Sequence, residues 1–207
     1  MRVEPTFVEI PGRHYALGNR PDLEGLNPGD REWVEARFSK PRTVTLAPFS
    51  IATTTLSAED LLAELSDDVL DRIENYADIA ALLQTELHAL GLRLPSSDEL
   101  EAAFAPNGQV FPWGAARPEG EPWPSKTTFD AHRRPTELGL VPNSNPYRVE
   151  LTTDAVMFGD GGESLCGGYP WPIPWMSFSP AYRVPIELVE DLLFEFLEES
   201  RIRAVRV

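Results

Sequence analysis

An α+β chain rich in irregular loops is what the sequence predicts, and three observations predict it. Segments alternating apolar and polar residues occur near the start and again past residue 145, two amphipathic stretches fill 57–91, and twenty prolines with fourteen glycines punctuate the rest. At 207 residues the chain is long enough for one domain with a real core, and no internal repeat or linker is apparent, so 1–207 reads as a single domain.

The first element, TFVEIPGRHYALG, alternates around a Pro-Gly pair and reads as a strand, a turn and a second strand, a hairpin near the N-terminus. From Asn19 to Ser39 the polar, Pro- and Gly-containing composition reads as a loop or surface excursion. RTVTLAPFSIAT is then a strand with Val44, Leu46 and Phe49 toward the core. Ser57 is a candidate N-cap with acidic residues after it. Leu61, Leu62, Leu65, Val69, Leu70 and Ile73 give the following helix its apolar stripe. DIAALLQTELHAL is a second helix ending at Gly91, a glycine suited to the left-handed conformation that closes helices. Ser96 or Ser97, with Glu99 or Glu101 after it, can cap a short third helix. NGQVFPWGAARPEGEPWPS reads as ordered coil pinned by aromatic burial. PYRVELTTDAVMF gives two short strands and SFSPAYRVPIE another. The end carries Leu188, Leu192, Leu193, Phe196 and Leu197 at helical spacing, with Arg201 and Arg203 near the negative helix end.

Charge bounds the partners. A formal net charge of -15 repels phosphate backbones, so a general basic surface for nucleic acid is not expected. A single cysteine cannot form an internal disulfide, the N-terminus reads as no secretion signal, and no apolar run approaches the roughly 20 residues a bilayer span needs. A cytoplasmic protein with no membrane association is the expectation. Walker, nucleophile-elbow and EF-hand spacings do not occur, and His14, His88 and His132 form no metal-binding spacing.

Several segments in order resemble the formylglycine-generating enzyme or sulfatase-modifying factor family, which is built on a C-type-lectin-like fold. FVEIPGRHYALG resembles the family opening F-x-x-I-P-G-G-x-F-x-M-G, and RTVTLAPFSIATTTLSAEDLLAEL resembles its strand leading into a helix. GLRLPSSDELEAAFAPNGQVFPWG is similar to R-L-P-T-E-A-E-W-E-x-A-A-R followed by the Y-P-W-G turn. DGGESLCGG resembles the segment R-G-G-S-x-x-C, and PAYRV resembles the arginine-ending strand after it. The resemblance implies that Cys166 stands at the first of two cysteines that together bind copper, with Arg183 nearby. The second cysteine is missing, and one thiolate underligates Cu(I) unless substrate or another soft group such as Met176 completes the site. The family's G-L-x-D-M-x-G-N-V-W-E-W run, which organises a structural calcium, has become GLVPNSNPYRVE; Asn143, Asn145 and Glu150 still offer hard oxygens.

Two further groups bear on binding. Trp171, Trp175 and Phe178, spaced by prolines, are either a recognition surface or rings that plug the core under long loops. FDAHRRP makes His132 and Arg133 part of a basic patch that can meet an anionic ligand or pair with neighbouring acids in solvent. His88, within a helix, reads as interfacial or structural. Two functions from different classes follow. One is a non-catalytic domain, a pseudoenzyme, binding a peptide, a protein partner or a small ligand. The other is a copper- or iron-dependent oxidoreductase acting on a thiol, peptide or small molecule, in which a thiolate paired with Arg183 would be reactive. Otherwise Cys166 is a small buried hydrophobe.

Overall fold

A computed structural model describes residues 5–63, 69, 73–116, 118–120, 122, 128–143, 145, 147–158, 173–186 and 197–207. It confirms a mixed α+β chain. The strands are β1 (Phe7–Ile10), β2 (Arg13–Leu17), β3 (Arg42–Leu46), β4 (Phe49–Ala52), β5 (Leu56–Ser57), β6 (Leu92–Arg93), β7 (Val149–Leu151), β8 (Val156–Met157), β9 (Arg183–Val184), β10 (Ser200–Ile202) and β11 (Val205–Arg206). They form a four-stranded sheet in the order β1-β4-β11-β6, a five-stranded sheet in the order β5-β10-β7-β8-β9, and the pair β2-β3.

The N-terminal hairpin is corrected. β1 pairs antiparallel with β4 from Phe7↔Ala52 to Ile10↔Phe49, and β2 pairs with β3 from Arg13↔Leu46 to Leu17↔Arg42. The register runs on from one pair to the other, so 7–17 and 42–52 are one antiparallel ribbon bent where Pro11-Gly12 faces Ala47-Pro48. Proline supplies no N–H to a ladder, so the pairing breaks there and the strand changes direction instead of reversing. Gly12 is required at the bend: a Cβ on it would lie 2.7 Å from the Pro48 ring.

Helix α1 (Pro28–Ala36) occupies the stretch expected to be a loop. Asn27 caps it, its side chain accepting from the Asp30 amide at 2.9 Å, and Pro28 stands in the first turn, where its missing N–H costs nothing. Two other helix starts follow expectation. Ser57 caps α2 (Ala58–Leu62), while α3 (Tyr76–Ala89) begins two residues before the expected Asp78, on a reciprocal Asn75–Asp78 box. α4 (Ser97–Phe104) begins with a Ser96–Glu99 box. Gly91 follows α3 with φ of 72°. Residues 64–68 and 70–72, which carry Leu65 and Leu70 of the expected stripe, lie outside the described residues, as do 187–196 of the expected C-terminal helix.

Residues 197–199 are helical, and from Ser200 the chain is extended. β10 runs parallel to β7 and antiparallel to β5, and β11 inserts between β4 and β6. Arg201 and Arg203 are therefore on and beside strands, and Arg201 still meets the helix end, donating to the Glu198 carbonyl at 2.9 Å.

Three clusters make the core. One packs α2 and α3, through Leu61, Leu62, Ile79, Leu83 and Leu87, against the five-stranded sheet. A second packs Ile10, Ile51 and Val205 of the four-stranded sheet on α4, where Phe104 meets Phe158 edge to face at 5.0 Å. The third is aromatic, built on Phe111, Trp175 and Phe178.

Candidate functional site

Arg183, on β9, donates to Glu101 Oε2 at 2.8 Å and to the carbonyls of Pro180 and Tyr182 at 2.8 and 3.0 Å. Glu101 comes from α4 and is 2% exposed. It also accepts from Arg42 at 3.0 Å, from the Ser39 hydroxyl at 3.3 Å and from the Gly18 amide. Burial pushes the Arg183 guanidinium below its ordinary value, with Glu101 opposing the shift. This arginine therefore ties α4 to the five-stranded sheet as half of an ion pair. Cys166, its expected companion, lies outside the described residues.

The aromatic expectation divides. Trp171 lies outside the described residues, while Trp175 and Phe178 are 1% and 2% exposed, as in the core-plugging alternative. Trp175, on α5 (Ile173–Met176), anchors its indole N–H on the Gly120 carbonyl at 2.6 Å. Met176 is buried with the first core cluster. His132 departs from the solvated-patch reading. It is fully buried, stacks on Phe129 at 6.0 Å, and meets Trp175 and Phe178 edge-on at 5.1 and 5.7 Å. Neither ring nitrogen has a hydrogen-bond partner among the described residues. Burial, reinforced by Arg133, pushes its pKa down to about 4, so it is neutral at physiological pH. Arg133 itself is exposed, and Arg134 pairs with Asp130 at 2.5 Å in solvent. His88 is exposed on α3.

The calcium expectation does not fit the donor set. Glu150 is fully buried, and both its oxygens accept from Arg203, at 2.8 and 3.0 Å. Asn143 donates to the Arg148 carbonyl at 2.5 Å, and its oxygen accepts from the Asn145 amide at 3.3 Å. Those asparagines line a cavity of 170 Å³ together with Arg148 and Arg201, whose charges oppose a cation. Among the described residues no group of three or more His, Cys, Asp or Glu side chains could hold a metal ion.

Sequence reasoning missed one open space. A groove of 1050 Å³ lies between the face of the four-stranded sheet carrying Phe7, Leu92 and Arg206 and the side of α2 carrying Asp60 and Leu61. Arg206 lies over the Phe7 ring at 4.3 Å. Leu90 and Val207 line the groove at 48% and 76% exposure, and both are large apolar side chains left in water. The chain matches no family model and no curated protein. Thr54 and Thr55 line both this groove and the 170 Å³ cavity, so the two spaces adjoin. Residues as distant as 5, 61, 92 and 207 form the groove, which is why no local motif marked it. No helix among the described residues is long and apolar enough to cross a membrane.

Proposed function

We propose that the chain is a divergent, non-catalytic domain with the C-type-lectin-like fold of the formylglycine-generating enzymes, and that it binds a peptide in the groove between the four-stranded sheet and α2. The observation that carries this reading is the groove itself, with Leu90 and Val207 exposed along it. Burying such side chains on a ligand is worth roughly 25 cal/mol per Å² of apolar area, and the threonines, Ser57, Asp60 and Arg206 in the lining offer hydrogen bonds to a peptide backbone. The engagement of Arg183 by Glu101 supports the non-catalytic part, because a guanidinium already paired does little to activate a thiolate. The copper- or iron-dependent alternative rests on Cys166, and nothing among the described residues adds to it.

Affinity enrichment of short random peptides on the full chain tests the proposal. The control is Leu90→Lys, a change at a half-exposed helix end that places a charge in the groove. Peptides rich in Leu, Ile, Val and Phe are expected to enrich on the wild type and to bind Leu90→Lys about tenfold more weakly by fluorescence anisotropy. Equal recovery on both proteins, or no enrichment, refutes the groove as the binding site.

A further inference from the structure

The cavity beside the groove has an uneven chemistry. Asn145 Oδ1 accepts from the Tyr147 amide at 3.0 Å, and Asn143 Oδ1 accepts from the Asn145 amide, so both side-chain acceptors are engaged. Donors remain. Arg201 uses Nη1 on the carbonyls of Glu198 and Ser200, which leaves Nε and Nη2 without a partner among the described residues. Arg148 uses Nε on Glu199 at 3.4 Å, an ion pair whose members are 44% and 49% exposed and which a better-placed anion can replace. The Asn145 side-chain Nδ2 and the hydroxyls of Thr54 and Thr55 also have no partner among the described residues. Unengaged donors around a small space suit a group that only accepts, an oxyanion.

Charge decides which oxyanion. Burial and the neighbouring Arg148 together lower the Arg201 pKa, so two cations stand close enough to repel one another. Glu199, Asp60 and Glu59 oppose that shift, so nearby acids already offset part of the positive charge. A singly charged group fits this balance better than a dianion. Because Thr54 and Thr55 line both spaces, whatever carries the charge continues into a groove that offers Phe7, Leu61, Leu90 and Leu92 to apolar side chains.

Resting on the groove reading above, we infer that the ligand is the free carboxy-terminus of a peptide. Its terminal carboxylate lies between Arg148 and Arg201, and its preceding apolar side chains lie against Leu61, Leu90 and Leu92. The groove supplies affinity for the side chains, and the arginine pair fixes the direction in which the chain is read.

The test uses one random peptide library synthesised twice, as carboxy-terminal acids and as carboxy-terminal amides, on the full chain and on Arg148→Gln and Arg201→Gln. Arg148 is exposed, so its variant keeps the test informative if the half-buried Arg201 position proves sensitive to change. Acids are expected to bind about tenfold or more tightly than the matching amides, with the difference falling severalfold in each variant while amide binding is unchanged. Acids and amides that bind alike overturn the carboxylate inference and leave the groove reading standing. If neither form binds, the groove reading fails as well. Decanoic acid binding where no peptide acid does would assign the site to a fatty carboxylate and overturn the peptide.

Discussion

Arg203 is the most consequential charged residue in the core, and removing it or its partner gives a sharp expectation. Both Arg203 and Glu150 are fully buried. The guanidinium donates to both Glu150 oxygens and to the carbonyls of Ala52, Thr53 and Val141 at 3.2, 2.8 and 2.8 Å, and it lies over the Phe104 ring at 4.8 Å. Glu150→Leu leaves a buried cation with carbonyls alone, and breaking such a pair from one side costs about 3–5 kcal/mol. Arg203→Met leaves the carboxylate unpartnered and takes a donor from three carbonyls, of which Thr53 keeps the Val141 N–H, so it belongs at the upper end of that range. Against a total stability of about 5–15 kcal/mol, either change removes from about a fifth to nearly all of it. In urea, with m of about 2–3 kcal/mol/M, the midpoint should fall by about 1–2 M, and Tm by about 6–20 °C. Glu150→Leu combined with Arg203→Met should cost clearly less than the two singles summed, since no charge remains buried, although the freed carbonyls keep it below wild type. Single variants within about 0.3 M of the wild-type midpoint, or strict additivity in the double, would refute the claim that this pair holds the two sheets together.

Three further outcomes are expected. His132 is held neutral down to about pH 4 in the folded chain, while the unfolded chain protonates it near 6.5. Its contribution to stability is therefore complete above about 6.5 and is lost as pH falls toward 4. His132→Phe should keep its urea midpoint at pH 7 and lose less than wild type between pH 6.5 and 4, and parallel pH curves would contradict the burial. Gly18 has φ of 80°, and a Cβ there would collide with the Lys40 backbone, so Gly18→Ala should destabilise by more than about 1 kcal/mol in the same melts. Cys166→Ser should bind the enriched peptides as wild type does. Tight one-to-one Cu(I) binding in anaerobic titration that vanishes in Cys166→Ser would instead revive the oxidoreductase.

Local chemistry was legible where one short stretch determines the outcome. The caps at Ser57 and Ser96, the box closed by Glu99, the Gly91 stop and strands β7 and β8 all follow from residues within a few positions of one another. α1 was hidden because Asn-Pro-Gly-Asp suits a turn as well as a capped helix with proline in its first turn. The N-terminal ribbon was misread because Pro-Gly can bend a strand or reverse it, and only the partner strand decides. At the C-terminus a strong helical stripe masked the alternation of Arg-Ile-Arg-Ala-Val-Arg, which belongs to two strands. Arg203 could not be recognised as a core residue without Glu150, which stands 53 positions away. The binding arginines suffered the same fate: Arg148 and Arg201 share a cavity only because β10 runs beside β7.

That parallel pairing has a consequence for how the chain is made. Residues 200–206 supply the inner strand between β5 and β7 and the inner strand between β4 and β6. During synthesis β5 and β6 emerge long before the strands that secure them, so neither sheet can close until residues 200–206 have cleared the ribosome. Everything upstream waits as a partly ordered nascent chain with two open edges, the state in which aggregation competes with folding. Trimming the final residues should therefore act as an all-or-none event, leaving the chain insoluble on synthesis rather than slightly less stable.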